Sequence, residues 1–583
     1  MTVGTLSSLL PLPVVIPIAG AVCAPLAARV DRRLPLVVCM VALAASTLVL
    51  GLVAGRVYSG TVLTHYMGHV IPVDGRALGV AFAADPLGLT FGLACTTIGG
   101  VLMLSTLSEL AELGAKELGG YACLFQLLIS ALVGSALTGD LFNLFVWFEV
   151  AALSSYGLTG FFLERPIALE AAFKVLVLTT LASFAVFVGA ALLYSNHGAL
   201  NFGQLHEALA GHAHTADMVA LALLVCGFAT KAGLMPFHTW LPDAHTAAPG
   251  PVSALFSGLM VNLGVVAIVR VALQVYGPAS GRPVLGLLMG LGVVSAILGA
   301  VLALAQDDLK RLLAYDTISQ VGVLVVGFAS DTPDGVAGAT YHLVNHALFK
   351  ALLFLCAGAI VHATGATKLS EMGGLGRHRP GLAIAFTAGV AAIAGVPPLN
   401  GYVSLGLIHD GLTGSGQPVV FGAMLVAQTV TIAALGRAAY LAFYRRRPDP
   451  YPQLEALRPG MVVALSTLGG ACVVFGLFPD WTLDHVAGPA AAGVLHAGRY
   501  AQAALGHGGT IGGVGVSFRY LKPTELIAVA GTVAAGGLLA RTYIRIREPR
   551  AVGLLRAIHN GSVNDYAAYA VLGVIGAAVV LAG

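Results

Sequence analysis

The chain has 583 residues, of which 57% are apolar and only 10% are charged, and its formal net charge is +3. Soluble domains carry about 25% charged residues, so this composition excludes a soluble enzyme, a nucleic-acid-binding protein and a disordered chain. A polytopic membrane protein remains. At about 20 apolar residues per spanning helix plus short loops, the length predicts about 16 spans.

Apolar runs of spanning length follow one another along the whole chain. They lie near residues 8–28, 35–55, 86–106, 119–138, 142–163, 170–194, 216–235, 252–274, 284–305, 312–330, 338–363, 381–402, 418–443, 460–480, 523–543 and 564–582. Their number agrees with the estimate from length. The sequence therefore predicts an all-α, polytopic membrane helix bundle.

The basic residues of the loops predict the orientation of this bundle. If the first loop, with Arg29, Arg32 and Arg33, is cytoplasmic, every second loop is cytoplasmic too, and those loops hold most of the Lys and Arg. Because positively charged loops stay on the cytoplasmic side, both termini are expected outside.

The sequence indicates no cofactor. The seven cysteines are scattered through apolar runs without a CxxC pair, which is typical of small buried side chains. No iron–sulfur, haem or nucleotide motif is visible. Any redox chemistry linked to this chain is therefore expected in a partner.

Two of the predicted spans are interrupted by proline. The first interruption, residues 230–236, reads Thr-Lys-Ala-Gly-Leu-Met-Pro, and the second, residues 395–401, reads Gly-Val-Pro-Pro-Leu-Asn-Gly. Proline breaks a helix, and a break at membrane depth is tolerated only inside protein or beside a water-filled cavity. Two such breaks indicate a transporter built from two inverted repeats, although proline kinks that serve packing give the same pattern.

The two breaks divide the chain into four predicted parts. Residues 1–118 form the N-terminal transmembrane helices, and residues 444–583 form the C-terminal ones. Residues 119–274 and 275–443 form the two repeats, each with one broken helix.

Two ionisable side chains stand in predicted spans without a local partner of opposite charge. Glu149 lies in Phe-Val-Trp-Phe-Glu, and Lys231 ends the apolar run before the first break. Such groups are costly inside a bilayer and mark functional sites. Brought together they stabilise each other's charged form, and separating them favours the neutral lysine and releases a proton. A purely structural ion pair is the alternative, but such pairs are poor stabilisers.

A polar stripe on one predicted helix is the next candidate. His342, His346 and Lys350 are spaced four residues apart, so they share one helix face. Histidine titrates near neutral pH, which suits a proton relay. Histidines at this spacing also bind metals, but the stripe ends in a cation, which disfavours a metal site.

Lys174 lies a few residues inside another predicted span. Its amine either takes part in a proton relay or reaches the cytoplasmic surface on its long side chain. His238 and His245, which follow the first break, are likewise either proton-entry residues or ordinary loop residues.

These motifs resemble, in the same order, those of the antiporter-like subunits of respiratory complex I and its relatives. Residues 145–149 resemble the glutamate helix of that family, and residues 231–245 resemble its broken lysine helix. Residues 342–350 resemble its central histidine/lysine helix, and residues 395–401 resemble its second broken helix. The family includes the Mrp multisubunit cation/proton antiporters, complex I and membrane-bound hydrogenases.

The early part of the chain is most similar to the large D-type Mrp subunit. The similarity rests on residues 65–69, His-Tyr-Met-Gly-His, and on Asp85 at the start of a span. It implies a multi-pass subunit of a prokaryotic cell membrane that works with a homologous large subunit and moves protons and Na⁺ across the lipid bilayer.

The resemblance also implies roles for the candidate residues. Glu149 and Lys231 form the coupling pair, while His342, His346 and Lys350 relay protons along a central hydrophilic axis.

The sequence departs from the family at two places on the output side of this axis. Leu405 stands where the family usually carries Lys or Glu, and Asn262 stands where it often carries Lys. Water, Asn262, Tyr402, or the nearby His409 and Asp410 are possible substitutes. Alternatively, the route leaves through a neighbouring subunit or has been lost.

Three functions are consistent with these observations. The first is a subunit of an antiporter that exchanges protons for Na⁺ or another monovalent cation. The second is the proton-pumping arm of a complex I-like or hydrogenase complex. The third is a structural subunit that conducts no ions, which Leu405 and Asn262 favour.

Overall fold

The structure is a computed structural model. It describes residues 2–582 except 74–75, 111, 211–212, 278–281, 447–453, 455, 507–508, 546–558 and 560. Within the described residues, 15 helices are long and apolar enough to cross a membrane. They coincide with the predicted runs, and the one run without such a helix, 381–402, holds the second break. The predicted helical membrane bundle is therefore confirmed.

The first half of the chain runs from the N-terminus to the helix after the first break. Its helices are α1 Val3–Ser7, α2 Leu12–Ala27, α3 Leu34–Val57, α4 Pro86–Glu109, α5 Ala115–Leu137, α6 Leu141–Thr159, α7 Pro166–His197, α8 Phe202–Leu209, α9 Thr215–Ala232, α10 Trp240–Ala247 and α11 Gly250–Val275. Helix α11 contains two π-helical stretches and is buried along its whole length.

The second half has the same all-helical character. Its helices are α12 Arg282–Leu304, α13 Leu309–Ala329, α14 Pro333–Thr364, α15 Leu375–His378, α16 Pro380–Ile393, α17 Asn400–Gly414, α18 Pro418–Tyr444, α19 Pro459–Leu477, α20 Pro479–Thr482, α21 Gly488–Leu495, α22 Ala497–Ala504, α23 Pro523–Arg545 and α24 Val563–Ala582. Helix α13 is buried from Leu312 onward, and the long helix α14 packs against α11, α13 and α17, so these helices form the centre of the bundle.

Both predicted breaks are present, and each begins at a glycine in the left-handed region. Gly233 has φ +74° directly after α9, and Gly395 has φ +68° after α16. Residues with a Cβ rarely adopt this conformation, so glycine ends each helix there. Side chains then satisfy freed carbonyl groups: the Trp240 indole donates to Thr230 over 2.7 Å, and the Gln428 amide donates to Ala394 over 3.1 Å.

The two longest loops between spans, near residues 57–84 and 481–522, pack against each other. The first contains a hairpin of β1 Leu63–Tyr66 and β2 Ala81–Ala84, which pair antiparallel. The second contains α20, α21 and α22. Burial raises the pKa of Tyr66 to about 12, so its hydroxyl stays protonated and donates to the Ala504 carbonyl over 2.5 Å. A bridge between Thr61 and Thr510 joins the loops a second time.

Candidate functional site

Glu149 on α6 and Lys231 on α9 lie near each other where the Phe148 and Phe228 rings of these two helices pack together. The Lys231 amine lies 5.4 Å from the centre of the Phe148 ring, and the Glu149 carboxylate is close enough to interact with it electrostatically. Neither the Lys231 amine nor the Glu149 Oε1 atom has a hydrogen-bond partner among the described residues. The two groups therefore attract each other across a gap instead of forming a closed salt bridge.

The first break fixes where the Lys231 amine can lie. Lys231 occupies the last turn of α9 because Gly233 ends the helix two residues later. The last turn of a helix carries unpaired carbonyl groups and a partial negative charge, which favours a cation. Because the side chain is fully buried, this field and the charge of Glu149 offset part of the cost of desolvating the amine.

His342, His346 and Lys350 lie on one face of α14, as the spacing predicts, and all three are fully buried. His342 forms hydrogen bonds with the Ser404 hydroxyl over 2.9 Å and with the Gln320 side-chain oxygen over 3.1 Å. The two ring nitrogens of His346 have no partner among the described residues. The stripe is thus a row of buried polar groups between α13 and α17.

Asp316 is a site residue that sequence reasoning missed. It lies in the middle of α13, is fully buried, and forms a salt bridge with Lys350. The Lys350 amine also donates to the Leu313 carbonyl over 3.3 Å. A carboxylate in the apolar run 312–330 indicates a candidate site from sequence alone. The sequence does not show its partner, because Lys350 lies on another helix.

Two further buried polar residues contact α14. The Asn262 amide on α11 donates to the Leu343 carbonyl on α14 over 3.2 Å. His245 is buried in helix α10, so its interpretation as a loop residue is wrong, and its ring stacks on Phe354 with 4.7 Å between centroids. The Asn262 Oδ1 atom and both His245 ring nitrogens have no partner in the described part of the chain.

Several of these candidate residues carry buried polar atoms without a hydrogen-bond partner in the described part of the chain. They are Glu149, Lys231, Asn262, His245, His346 and Asp316. Most buried polar groups in proteins are hydrogen-bonded, because leaving them unpaired costs about 1–3 kcal/mol each. Such groups destabilise the bundle, so packing alone does not account for them.

Lys174 is buried and held by two carboxylates. Its amine lies 2.7 Å from Glu170, one turn earlier on α7, and 3.0 Å from Asp243 on α10. The other Asp243 oxygen lies 3.5 Å from Arg311 at the start of α13. This arrangement differs from a lysine that extends freely to the surface. Lys174 instead connects α7 with the helix that follows the first break.

We expect replacement of Lys174 by glutamine to slow ion transport several-fold without abolishing it. Among the described residues, the change leaves Asp243 with the more distant Arg311 alone, so α10 loses a contact that holds it in place. Lys174→Arg should retain most of the rate because it keeps the charge. Glu170→Gln is the matched control, since Glu170 is exposed and surface ion pairs contribute about 0–1 kcal/mol. An unchanged rate in Lys174→Gln would contradict the expectation.

A second buried cation, Arg270, was also missed by the sequence analysis. It forms a salt bridge with Asp85 and donates to the Ala136 carbonyl over 3.1 Å and to Gln274 over 2.8 Å. Its guanidinium lies 5.3 Å from the centre of the Tyr500 ring. This dense set of contacts ties α4, α5 and α11 to α22, and it is the arrangement expected of a structural ion pair.

Leu405 lies in a small apolar cluster with Val323, Ile408, Leu412 and Met424. We expect Leu405→Lys to alter the rate of transport or its pH dependence, because a cation there is desolvated close to the polar row of α14. Ser59→Lys is the control, since it adds the same charge at an exposed position after α3, away from this cluster in the fold. Identical rates and pH profiles for Leu405→Lys and the unmodified chain would mean that no proton passes this position.

A helical membrane bundle with a buried row of acids, lysines and histidines defines the class of ion-translocating membrane subunits, and comparison with known proteins gives the family. The sequence profile of the family described as "NADH:quinone oxidoreductase/Mrp antiporter, TM" matches residues 138–431. The chain belongs to this family. The matched range contains all six candidate residues, Glu149, Lys174, Lys231, His342, His346 and Lys350.

Individual relatives include subunits of NADH-quinone oxidoreductase and of Na(+)/H(+) antiporters. The chain is 31% identical to NADH-quinone oxidoreductase subunit N of Desulforudis audaxviator, over 70% of this chain and 84% of that protein. It is 29% identical to the D-type Na(+)/H(+) antiporter subunit of Bacillus subtilis, over 73% and 86% respectively. A chain in the solved Mrp complex from Dietzia sp. superposes with a TM-score of 0.78 at 25% identity, covering 87% of this chain and all of that one.

Proposed function

We propose that this chain is the proton-translocating subunit of a multisubunit Mrp-type antiporter that exchanges Na⁺ or another monovalent cation for protons. The observation that carries the proposal is the buried row from Glu149 and Lys231 to His346, Lys350 and Asp316. The similarity to the D-type Na(+)/H(+) antiporter subunit and to a chain of an Mrp complex supports the choice of partner complex.

In this proposal the open Glu149–Lys231 pair is the coupling element. When the two groups approach, each stabilises the charged form of the other, and the lysine holds its proton. When they move apart, the buried amine loses that support and releases its proton toward α14. His346 and the Lys350–Asp316 pair then pass the proton on, and a membrane potential drives the cycle with about 2.3 kcal/mol per charge for each 100 mV.

The alternative is a proton-pumping membrane subunit of a complex I-like or hydrogenase complex. It is favoured by the 31% identity to NADH-quinone oxidoreductase subunit N. The same buried row would serve in that case, but the motion of the Glu149–Lys231 pair would be driven by a redox module in other subunits. A prokaryotic cell membrane is the proposed location for either complex.

The deciding experiment is gentle affinity purification of the intact complex through this chain, followed by mass spectrometry and reconstitution into sealed vesicles. For an antiporter we expect small membrane proteins and a homologous large subunit without redox proteins, and proton efflux on addition of Na⁺ alone. Iron–sulfur or hydrogenase subunits, with proton movement only after addition of an electron donor, would establish the alternative. A complex that moves no protons under either condition would contradict both proposals.

A further inference from the structure

Helix α17, which contacts the polar stripe of α14 through Ser404, takes part in a second buried pair of titratable side chains. The Nδ1 atom of His409 lies 3.1 and 3.2 Å from the two carboxylate oxygens of Glu525, which lies in the first turn of α23. Both side chains are buried, His409 to 4% and Glu525 to 5% exposure. The residues are 116 positions apart in sequence, so only the packing of α23 on this part of the molecule brings them together.

Along α17, this pair lies after Ser404, the residue at which the polar stripe of α14 contacts that helix. His342 contacts Ser404, and the Asn345 amide on the same helix donates to Ser404 over 3.0 Å. His409 is five residues later, about 7.5 Å along the helix axis. Tyr402, the titratable residue before Ser404 on α17, has its hydroxyl bound to the Tyr520 carbonyl over 2.6 Å. His409 is therefore the first titratable side chain on α17 after Ser404.

A more exposed pair follows immediately. Asp410 forms a salt bridge with Lys522, and their side chains are 25% and 37% exposed. Asp334, at the start of α14, interacts electrostatically with both. The charged groups around His409 are therefore Glu525, Asp410, Lys522 and Asp334, and exposure increases from the first pair to the second. The loop basicity predicts that this end of α17 is outside.

We propose that His409 and Glu525 form the outward proton exit of the second half of the chain, an inference that rests on the proposed function. A proton from the α14 row binds one ring nitrogen of His409, and the Nδ1–H proton passes to the Glu525 carboxylate. Glu525 then releases this proton to the outer surface beside Asp410 and Lys522. One proton enters and one leaves, so the imidazole and the carboxylate return to their starting charges, and rotation of the imidazole ring restores its starting tautomer.

A structural role alone explains this pair less well. A buried ion pair costs about as much in desolvation as it returns in attraction, so an apolar contact would hold α23 in place as firmly. The surroundings offer such contacts: the Phe518 ring lies against α17 beside Gly406, and the Phe421 ring packs on His409 with 5.1 Å between centroids.

The test uses the purified complex in sealed vesicles, with proton flux measured across a range of pH. We expect His409→Gln and Glu525→Gln each to lower the flux about tenfold or more, since a positioned proton-transfer group contributes about 100-fold or more to a rate. Glu525→Asp should restore flux with a shifted pH profile, because it keeps a titratable group. His485→Gln is the matched control, since His485 is exposed and its ring stacks on the exposed Trp481.

A double replacement separates proton transfer from folding. His409→Gln with Glu525→Gln keeps a neutral hydrogen-bonding pair between α17 and α23 and removes both titratable groups, so the complex should assemble but remain slow. Normal flux in this double variant, or in the two single variants, would overturn the inference while leaving the proposed function intact. Absence of proton flux from the unmodified complex would instead overturn the proposed function and this inference with it.

Discussion

Lys231→Met should abolish ion transport and leave the complex assembled. The amine is fully buried with no hydrogen-bond partner among the described residues, so its charge costs free energy of folding instead of contributing to it. Methionine fills a similar volume without that cost, and such exchanges of buried charge for apolar groups are often neutral or stabilising. Lys231→Ala should lose transport as well. Because the proposed coupling step is release of the Lys231 proton from the Glu149–Lys231 pair, no residual exchange is expected from either variant.

The measurement is proton flux in vesicles, together with the yield and subunit composition of the purified complex. Lys368→Ala is the matched control, because Lys368 is a lysine with a 60% exposed side chain. Its flux should equal that of the unmodified chain. Near-normal transport in Lys231→Met with normal assembly would remove Lys231 from the mechanism, and with it the coupling role of Glu149.

Asp316→Asn should cause both a loss of transport and a loss of stability. It leaves the Lys350 amine fully buried without its counter-charge. Removing one partner of a buried ion pair costs about 3–5 kcal/mol, which is a large share of the stability of a typical folded protein. The thermal unfolding temperature of the complex should therefore fall clearly. Glu371→Gln, at a half-exposed carboxylate, should change it little because surface substitutions cost about 0.5 kcal/mol or less.

The double variant Asp316→Asn with Lys350→Met separates the loss of stability from the loss of transport. Removing the unpaired amine should recover most of the unfolding temperature, because the two residues are in contact and their effects are not additive. Transport should stay lost, since both proton-carrying groups are gone. If Asp316→Asn unfolds at the same temperature as the unmodified complex, then Lys350 does not depend on Asp316 for its charge in the buried site.

Several parts of the site were predictable because they depend on residues close together in the chain. The glycine and proline residues of the two breaks disrupt helices wherever they occur, so the breaks followed from the sequence. The four-residue spacing of His342, His346 and Lys350 places them on one face of any α-helix. The assignment of residues 119–274 and 275–443 to two inverted repeats stays a prediction.

The salt bridges between residues on different helices were not predictable in the same way. Asp316 was visible as a carboxylate inside an apolar run, yet its partner Lys350 lies 34 residues later, and Asp85 and Arg270 are 185 residues apart. In a membrane bundle most spans are apolar on every side, so the sequence contains little information about which face meets which neighbour.

The sequence by itself determined the class of protein, the approximate number of spans, the two breaks and part of the buried charge, namely Glu149, Lys231 and Lys350. Hydropathy is a sum over neighbouring residues, and helix breaking is a property of single residues, so neither needs the folded chain. Only the tertiary structure decided that the Lys231 amine lies near Glu149 without a hydrogen-bond partner among the described residues, whereas Lys350 forms a salt bridge with Asp316. It likewise decided that His409 contacts Glu525. Whether a buried charged side chain finds a partner of opposite charge depends on the distances between helices, and helix packing alone sets those distances.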